Sequence, residues 1–115
     1  MTQATLETTV HSSAGGPVIQ LRGDIDSAAR DALGAAYDGA PREGRLLLDF
    51  TAVGYINSTG IALIVGLLAR ARAEHREVAA TGLSDHYRQI FEITRISDFM
   101  TILDDDNATE QEAPR

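Results

Sequence analysis

The sequence predicts a single small α/β domain, in which a mixed sheet of four or five strands carries packed helices. Three observations favour this class. The 115 residues suffice for one hydrophobic core. Apolar and β-branched runs alternate with apolar stripes at helical spacing, and clusters of turn-forming residues separate them. The predicted order of elements is β-β-α-β-α-β-α-β.

The first half of the chain is predicted to form a hairpin, a helix and a buried strand. Strand-like residues run from Leu6 to Ser12 and resume at Pro17–Leu21 after a glycine-rich turn. Asp26 is a candidate helix N-cap. The helix behind it carries an apolar stripe at helical spacing, formed by Ala29, Leu33, Ala36 and Tyr37. The apolar run 45–50 then indicates a strand that is covered on both faces.

A loop over residues 52–57 is predicted to lead into the longest helix, which runs from Ser58 to about His75. At about 100° per residue, one set of apolar side chains forms the stripe that faces the core. This set is Ile61, Ile64, Val65 and Leu68. Leu63 and Leu67 are predicted to point away from the core, where they would form an apolar docking patch.

The last third of the chain is predicted to contain a strand over residues 77–81 and a third helix with Ser84 as its N-cap. Residues 99–103 are expected to form a short strand or an apolar strap. The domain then spans residues 1–103. Residues 104–115 contain five acidic residues and no large apolar side chain, which is typical of a flexible tail.

Composition and charge exclude several classes of function. The net charge is −7, and all ten basic residues are arginine. An acidic surface repels phosphate backbones, so no direct nucleic-acid partner is expected. The longest apolar run, residues 60–69, is half of what a bilayer span requires, and the first residues do not form a secretory signal. We therefore expect a cytoplasmic protein without membrane insertion.

The chain also lacks the motifs of most catalytic sites. The loop 54–60 cannot be a phosphate-binding P-loop because the chain has no lysine. It is a poor nucleophile elbow because Ile56 stands where that turn needs glycine. The acidic tail has Thr109 and Arg115 where a calcium-binding loop needs glycine and glutamate. The three histidines share no ligand spacing. We expect no enzyme activity, no cofactor and no metal.

One segment carries a family resemblance. Residues 49–60, with the sequence DFTAVGYINSTG, resemble the signature of the STAS domain family, the anti-anti-sigma factors of bacteria. Residues 23–26 resemble the family's acidic segment at the end of the second strand, and residues 90–99 resemble its C-terminal helix and strap. Together the three segments span roughly residues 6–103. In this sequence Asn57 replaces a common aspartate, and Arg95 replaces a common glycine.

The resemblance implies an anti-sigma factor antagonist in a partner switch that phosphorylation controls. The implied partners are an anti-sigma factor with serine-kinase activity and a serine phosphatase that resets the switch. Ser58 matches the phosphorylated residue, with Thr59 as the second candidate, and Asp26 matches an acid near the partner surface. The full predicted partner-binding set is Asp26, Asn57, Ser58, Thr59, Gly60, Leu63 and Leu67.

Three alternatives stay open at this point. Ser58 is also a suitable helix-capping residue, which would need no regulation. The domain could instead be a soluble accessory subunit of a transporter, or a ligand-sensing module, without phosphorylation. A hydrolase that uses Ser58 is the third alternative. The sequence leaves a weak homo-oligomer open and does not identify the kinase, the phosphatase or the sigma factor.

Overall fold

A computed structural model describes residues 5–103, and within this range five strands form one mixed sheet in the order β1-β2-β3-β4-β5. The strands are β1 Glu7–Ser13, β2 Gly16–Ile25, β3 Leu46–Ile56, β4 Val78–Thr81 and β5 Thr101–Ile102. β1 and β2 form the predicted antiparallel hairpin. The remaining neighbours pair in parallel. The predicted mixed α/β sheet is therefore confirmed, while the predicted acidic tail lies outside the described residues.

The helices follow in the predicted order. They are α1 Arg30–Gly39, α2 Ser58–Ala73 and α3 Asp85–Ile93. Short 3₁₀ helices precede α1, at Ser27–Ala29, and follow α3, at Ile96–Asp98. Asp26 is an N-cap as expected, although it caps the 3₁₀ turn: its carboxylate accepts the Ala28 N–H at 3.0 Å. Ser84 caps α3 by accepting the Tyr87 N–H at 3.2 Å.

The hydrophobic core lies on one face of the sheet. Leu46, Leu48 and Phe50 of β3 are buried in it, together with residues from all three helices. Leu47 and Asp49, which alternate with them, are only half-buried. Successive side chains of a strand point to opposite faces, so this alternation shows one covered face. The prediction that this strand is covered on both faces is wrong.

β3 is also longer than its apolar run indicates. It continues through the segment predicted as a loop and pairs with β2 as far as Ile25 and Ile56. Two register shifts interrupt this part of the ladder, and such irregularities break the alternation of buried and exposed side chains. Only Asn57 therefore separates the end of the strand from the first residue of α2.

The orientation of α2 also differs from the prediction. Its buried residues are Gly60, Ile64, Leu68 and Ala71. Val65, expected in the core, is 46% exposed, while Leu63 and Leu67 are partly buried and pack against the core. The helix is rotated by roughly 50° about its axis relative to the expected stripe. The physical reason is that α2 buries small residues, which a pattern of large apolar side chains does not reveal.

The far end of α2 is held by a cluster around Glu74 and Tyr37. The Tyr37 hydroxyl donates to Glu74 Oε1 at 2.8 Å. Arg42 and Arg70 also donate to this carboxylate, and Arg70 lies over the Tyr37 ring, 4.4 Å from its centre. The i,i+4 spacing of Arg70 and Glu74 by itself indicates only a solvated ion pair. The cluster instead connects α1, the loop after it and the C-terminus of α2.

The first prediction concerns the acid stability of this cluster. The Tyr37 hydroxyl, followed by Arg42, lowers the pKa of Glu74 from 4.5 to about 2. As the pH falls below 4.5 the unfolded chain takes up a proton first, so this stabilisation is complete above 4.5 and disappears towards about 2. We expect Glu74→Gln to lower the free energy of unfolding at neutral pH, by an amount that shrinks over this interval.

Urea unfolding of both proteins across the acid range measures this difference. Tyr37→Phe is the graded control, because it removes the hydroxyl that lowers the pKa of Glu74 most and keeps the ring. It should weaken the same pH dependence without abolishing it. A stability difference between wild type and Glu74→Gln that stays constant across the interval would contradict the assignment.

A second prediction concerns the contact between α2 and β2. A Cβ atom at Gly60 would lie 1.9 Å from the carbonyl oxygen of Ile25, which is closer than any real contact. Gly60→Ala must therefore displace α2 from the sheet, and we expect a loss of about 2 kcal/mol in the free energy of unfolding.

Gly66 is the matched control in the same helix, because a Cβ there would meet no atom within 4 Å. Gly66→Ala should stabilise the protein by about 0.5–1 kcal/mol through helix propensity alone. Chemical denaturation of the two variants measures both changes in the free energy of unfolding. Equal effects of the two substitutions would show that Gly60 has no special packing role.

Candidate functional site

The start of α2 presents an exposed hydroxyl. Ser58 is the first residue of the helix, and both Ser58 and Thr59 are exposed. The N-cap is Asn57, whose Oδ1 accepts the Gly60 N–H at 2.8 Å. Within residues 5–103 the Ser58 hydroxyl has no hydrogen-bonding partner. Because Asn57 fills the capping role, helix capping does not explain Ser58.

Two hydrogen bonds fix the chain immediately before Ser58. The Asn57 N–H donates to the carbonyl oxygen of Ile25 at 3.2 Å, which ties the cap to the end of β2. The Ile56 N–H donates to the Tyr87 hydroxyl at 2.9 Å, which ties it to α3. The serine therefore stands on a segment that is held from two sides. Its exposure reflects a fixed position in the fold.

Tyr87 of α3 positions the backbone immediately before Ser58. Its ring is half-buried and packs against the core, while its hydroxyl reaches the backbone of β3. A buried tyrosine hydroxyl normally has a hydrogen-bond partner. This rule indicates that Tyr87 bonds to some polar group, but only the structure identifies the group as the backbone two residues before Ser58.

Two acidic residues lie beside the cap. The register pairs Ile25 with Ile56, so Asp26 and Asn57 follow at neighbouring positions. Asp24 pairs with Tyr55 one step earlier, and both carboxylates are half-buried. The structure thus places Asp26 and Asp24 beside the cap, and a contact of Asp26 with a partner stays a prediction. The site has negative charge on the β2 side and the positive end of the α2 dipole at Ser58.

The exposed apolar surface near Ser58 differs from the predicted one. Tyr55, the second-last residue of β3, is 55% exposed. Ala62, one helical turn beyond Ser58, is also exposed. Leu63 and Leu67 do not belong to this surface, because they pack against the core. Tyr55 lies in the segment predicted as a loop, where no periodicity indicates which way its side chain points.

Among residues 5–103, no group of three or more histidine, cysteine, aspartate or glutamate side chains is placed to hold a metal ion. No helix in the same range is long and apolar enough to cross a bilayer. The groups that the structure does place at this site are a free hydroxyl at a helix start, two flanking carboxylates and one exposed aromatic ring.

Comparison with known sequences gives a family and several relatives. Residues 8–104 match the profile of the family described as "Mlab, STAS domain". An anti-sigma-B factor antagonist of Listeria monocytogenes is 40% identical over 62 residues, which cover 53% of this chain and 54% of that protein. An anti-sigma-B factor antagonist of Staphylococcus aureus is 38% identical over 50 residues, 44% of this chain and 46% of the relative. The chain thus spans about half the length of the curated relatives that it matches.

Comparison with solved structures shows a shared fold. An anti-sigma factor antagonist from Mycobacterium paratuberculosis superposes with a TM-score of 0.69 at 21% identity, covering 91% of this chain and 92% of that one. The Bacillus cell fate determinant SpoIIAA in its phosphorylated form superposes with a TM-score of 0.60 at 18% identity, covering 93% and 100%. With a family profile that covers most of its length and this fold, the chain belongs to the STAS domain family.

Proposed function

We propose that this STAS domain is an anti-sigma factor antagonist, and that phosphorylation of Ser58 controls its binding to an anti-sigma factor kinase. The observation that carries the proposal is the exposed Ser58 hydroxyl, which makes no hydrogen bond within residues 5–103 while Asn57 caps the helix. Such a hydroxyl is accessible to a kinase and contributes nothing to the fold that its modification would remove.

The fold tolerates the modification for an electrostatic reason. Phosphorylation adds about −1.5 to −2 charges and three acceptor oxygens at the first residue of α2. The first N–H groups of a helix lack intrahelical acceptors, and the helix dipole favours an anion there. The bond from Gly60 to Asn57 stays in place, because it does not involve Ser58. We therefore expect the phosphorylated domain to remain folded.

The partner, in contrast, loses a favourable contact. Asp24 and Asp26 already give this surface negative charge, so a phosphoryl group at Ser58 concentrates further charge at the same point. A partner surface that fits the neutral hydroxyl then faces like-charge repulsion or an unpaired buried anion, which costs several kcal/mol. The modification converts an attractive surface into a repulsive one without changing the fold.

The relatives support this assignment. The proteins from Listeria monocytogenes and Staphylococcus aureus that match half of the chain are anti-sigma-B factor antagonists. The fold that the chain shares with SpoIIAA is one that accommodates a phosphoryl group. In the proposed reaction the Ser58 oxygen attacks the γ-phosphorus of ATP, ADP leaves, and a base of the kinase takes the hydroxyl proton. A serine phosphatase would reverse the modification by hydrolysis.

A third prediction tests Ser58 directly. Incubation with the anti-sigma factor kinase and ATP should add one phosphate to the wild-type protein and none to Ser58→Ala, as read by intact-mass spectrometry. Thr59→Ala is the matched control and should gain the phosphate as wild type does. Phosphate that persists on Ser58→Ala and disappears on Thr59→Ala would move the site to Thr59.

Binding measurements complete this test. Ser58→Ala should keep its affinity for the anti-sigma factor, whereas Ser58→Asp should weaken it by about tenfold or more, which corresponds to about 1.4 kcal/mol. Equal binding by wild type and both variants would show that the switch lies elsewhere. Copurification with transporter subunits and no phosphate transfer would favour the accessory-subunit alternative.

A fourth prediction concerns the aromatic part of the surface. Tyr55→Ala should weaken anti-sigma factor binding by about tenfold, because exposed aromatic side chains at protein interfaces often contribute above 1 kcal/mol. Ile93→Ala is the matched control: Ile93 is 77% exposed, but it lies at the end of α3. This variant should bind as wild type does. Isothermal titration calorimetry of both variants separates a local contact from a general loss of apolar surface.

A further inference from the structure

A concave surface lies at the opposite end of α2 from Ser58. It is a groove of about 600 Å³ between the C-terminal half of α2 and residues 94–99. Its walls are mainly apolar and include Val65, Leu68, Ala69, Ile96 and Phe99. Val65 is 46% exposed and Phe99 is 49% exposed, so large apolar side chains face solvent across the groove. Leu68 and Ile96 at its base also belong to the core, and no residue of the Ser58 site lines the groove.

The rim of the groove is cationic although the chain has a net charge of −7. The Arg72 guanidinium lies over the Phe99 ring, 5.1 Å from its centre. In the described part of the chain Arg72 has no carboxylate partner. Arg95 also lines the groove and donates to Asp98 at 2.9 Å, and no other carboxylate among residues 5–103 bonds to either arginine. An anion at the groove therefore meets one uncompensated guanidinium and a second that is partly neutralised.

The ends of two helices form part of the rim. Arg95 and His75 both line the groove and both have left-handed backbone conformations, with φ values of 68° and 58°. They are the only residues other than glycine with positive φ among residues 5–103. Each of them directly follows the C-cap of a helix, α2 or α3, where a left-handed residue commonly ends the helix. Here each of them places a basic side chain, which glycine would not provide, at the mouth of an apolar groove.

We propose that this groove binds a free single-chain amphiphile with an anionic head, of the medium-chain carboxylate class. The apolar walls would hold the chain and Arg72 would face the carboxylate. From Val65 to Ala73 the groove follows α2 for about 12 Å, which matches an extended chain of roughly ten carbon atoms. Its volume lies within the range of small-molecule pockets.

The shape and charge of the molecule favour a free ligand over a lipid surface. A concave groove admits one chain, whereas binding to a bilayer requires apolar side chains that protrude. Anionic leaflets also repel a protein of net charge −7. The proposal does not depend on phosphorylation of Ser58, since the groove and the serine lie at opposite ends of a helix of 16 residues.

Titration of the full-length ¹⁵N-labelled protein with decanoate, which stays monomeric at millimolar concentration, tests the proposal. We expect saturable NMR shifts at the groove, centred on Val65, Arg72 and Phe99. Decyltrimethylammonium has the same chain and a cationic head, and it should bind at least about fivefold more weakly. Acetate, which has the head group alone, should cause no saturable shifts there.

Two substitutions of Arg72 test whether this side chain binds the carboxylate head group. Arg72→Gln should weaken decanoate binding by about fivefold and Arg72→Lys should retain most of it, since an exposed charge contributes up to about 1 kcal/mol. Arg30→Gln, at the start of α1, is the matched control because Arg30 is exposed and does not line the groove. It should bind decanoate as wild type does. The NMR spectrum of each variant reports its folding in the same experiment.

Each of four results with the amphiphiles would overturn the proposal, and a fifth concerns the protein partner. The four are the absence of saturable shifts, shifts centred away from the groove, equal affinity for the cationic and anionic amphiphiles, and binding to phosphatidylglycerol vesicles without binding to free decanoate. Loss of anti-sigma factor binding in Val65→Gln, with no response of the wild type to decanoate, would assign the groove to the protein partner and would also overturn it.

Discussion

The close contact between the start of α2 and the end of β2 determines the geometry of the serine site. Gly60 lies against the carbonyl oxygen of Ile25, where no Cβ atom fits, and the same oxygen accepts the Asn57 N–H. The end of β2 thus contacts both the N-cap residue and the first turn of α2. Ser58 is held between these two contacts, and its own side chain takes part in neither. The Ser58 hydroxyl is therefore free to react without breaking either contact.

A regulatory serine at a helix start needs a separate residue to cap the helix. If the serine were itself the N-cap, phosphorylation would remove a hydrogen bond and destabilise the first turn. Asn57 prevents this, because its amide oxygen binds Gly60 in either state of Ser58. An asparagine also keeps the cap neutral, whereas an aspartate would place another negative charge beside the phosphoryl group. The departure from the common family residue is therefore compatible with the proposed switch.

The sequence predicts the elements well and the orientation of side chains less well. Strong periodicity and capping residues place α1 and α3, and the ends of α2 are correct within about two residues. The prediction of which face of α2 is buried is wrong, because Gly60 and Ala71 are buried and carry little hydrophobic signal. The predicted length of β3 is too short, because the irregular pairing with β2 abolishes the alternation of buried and exposed side chains. Both errors arise where packing between segments outweighs the local pattern.

The same reasons divide the candidate site into predictable and unpredictable parts. Ser58, Asn57 and Asp26 follow from residue type and from the family resemblance. Tyr55 and Tyr87 do not, because the exposure of one and the hydrogen bond of the other depend on how β3 meets α3. The groove beside Phe99 forms between segments that are distant in the sequence, residues 65–75 and 94–99, so no local pattern indicates it.

The two surfaces of α2 are mechanically separate because each end of the helix has its own anchor. The first turn is fixed by Gly60 and Asn57 on β2, and the last turn is fixed by Glu74 through Tyr37 and Arg42. A ligand at the groove could influence Ser58 only if it bound two arrangements of the helix with different affinities. With both ends anchored in this way, substitutions at Arg72 and at Ser58 should act additively. Energetic coupling between them would show that α2 moves as a unit.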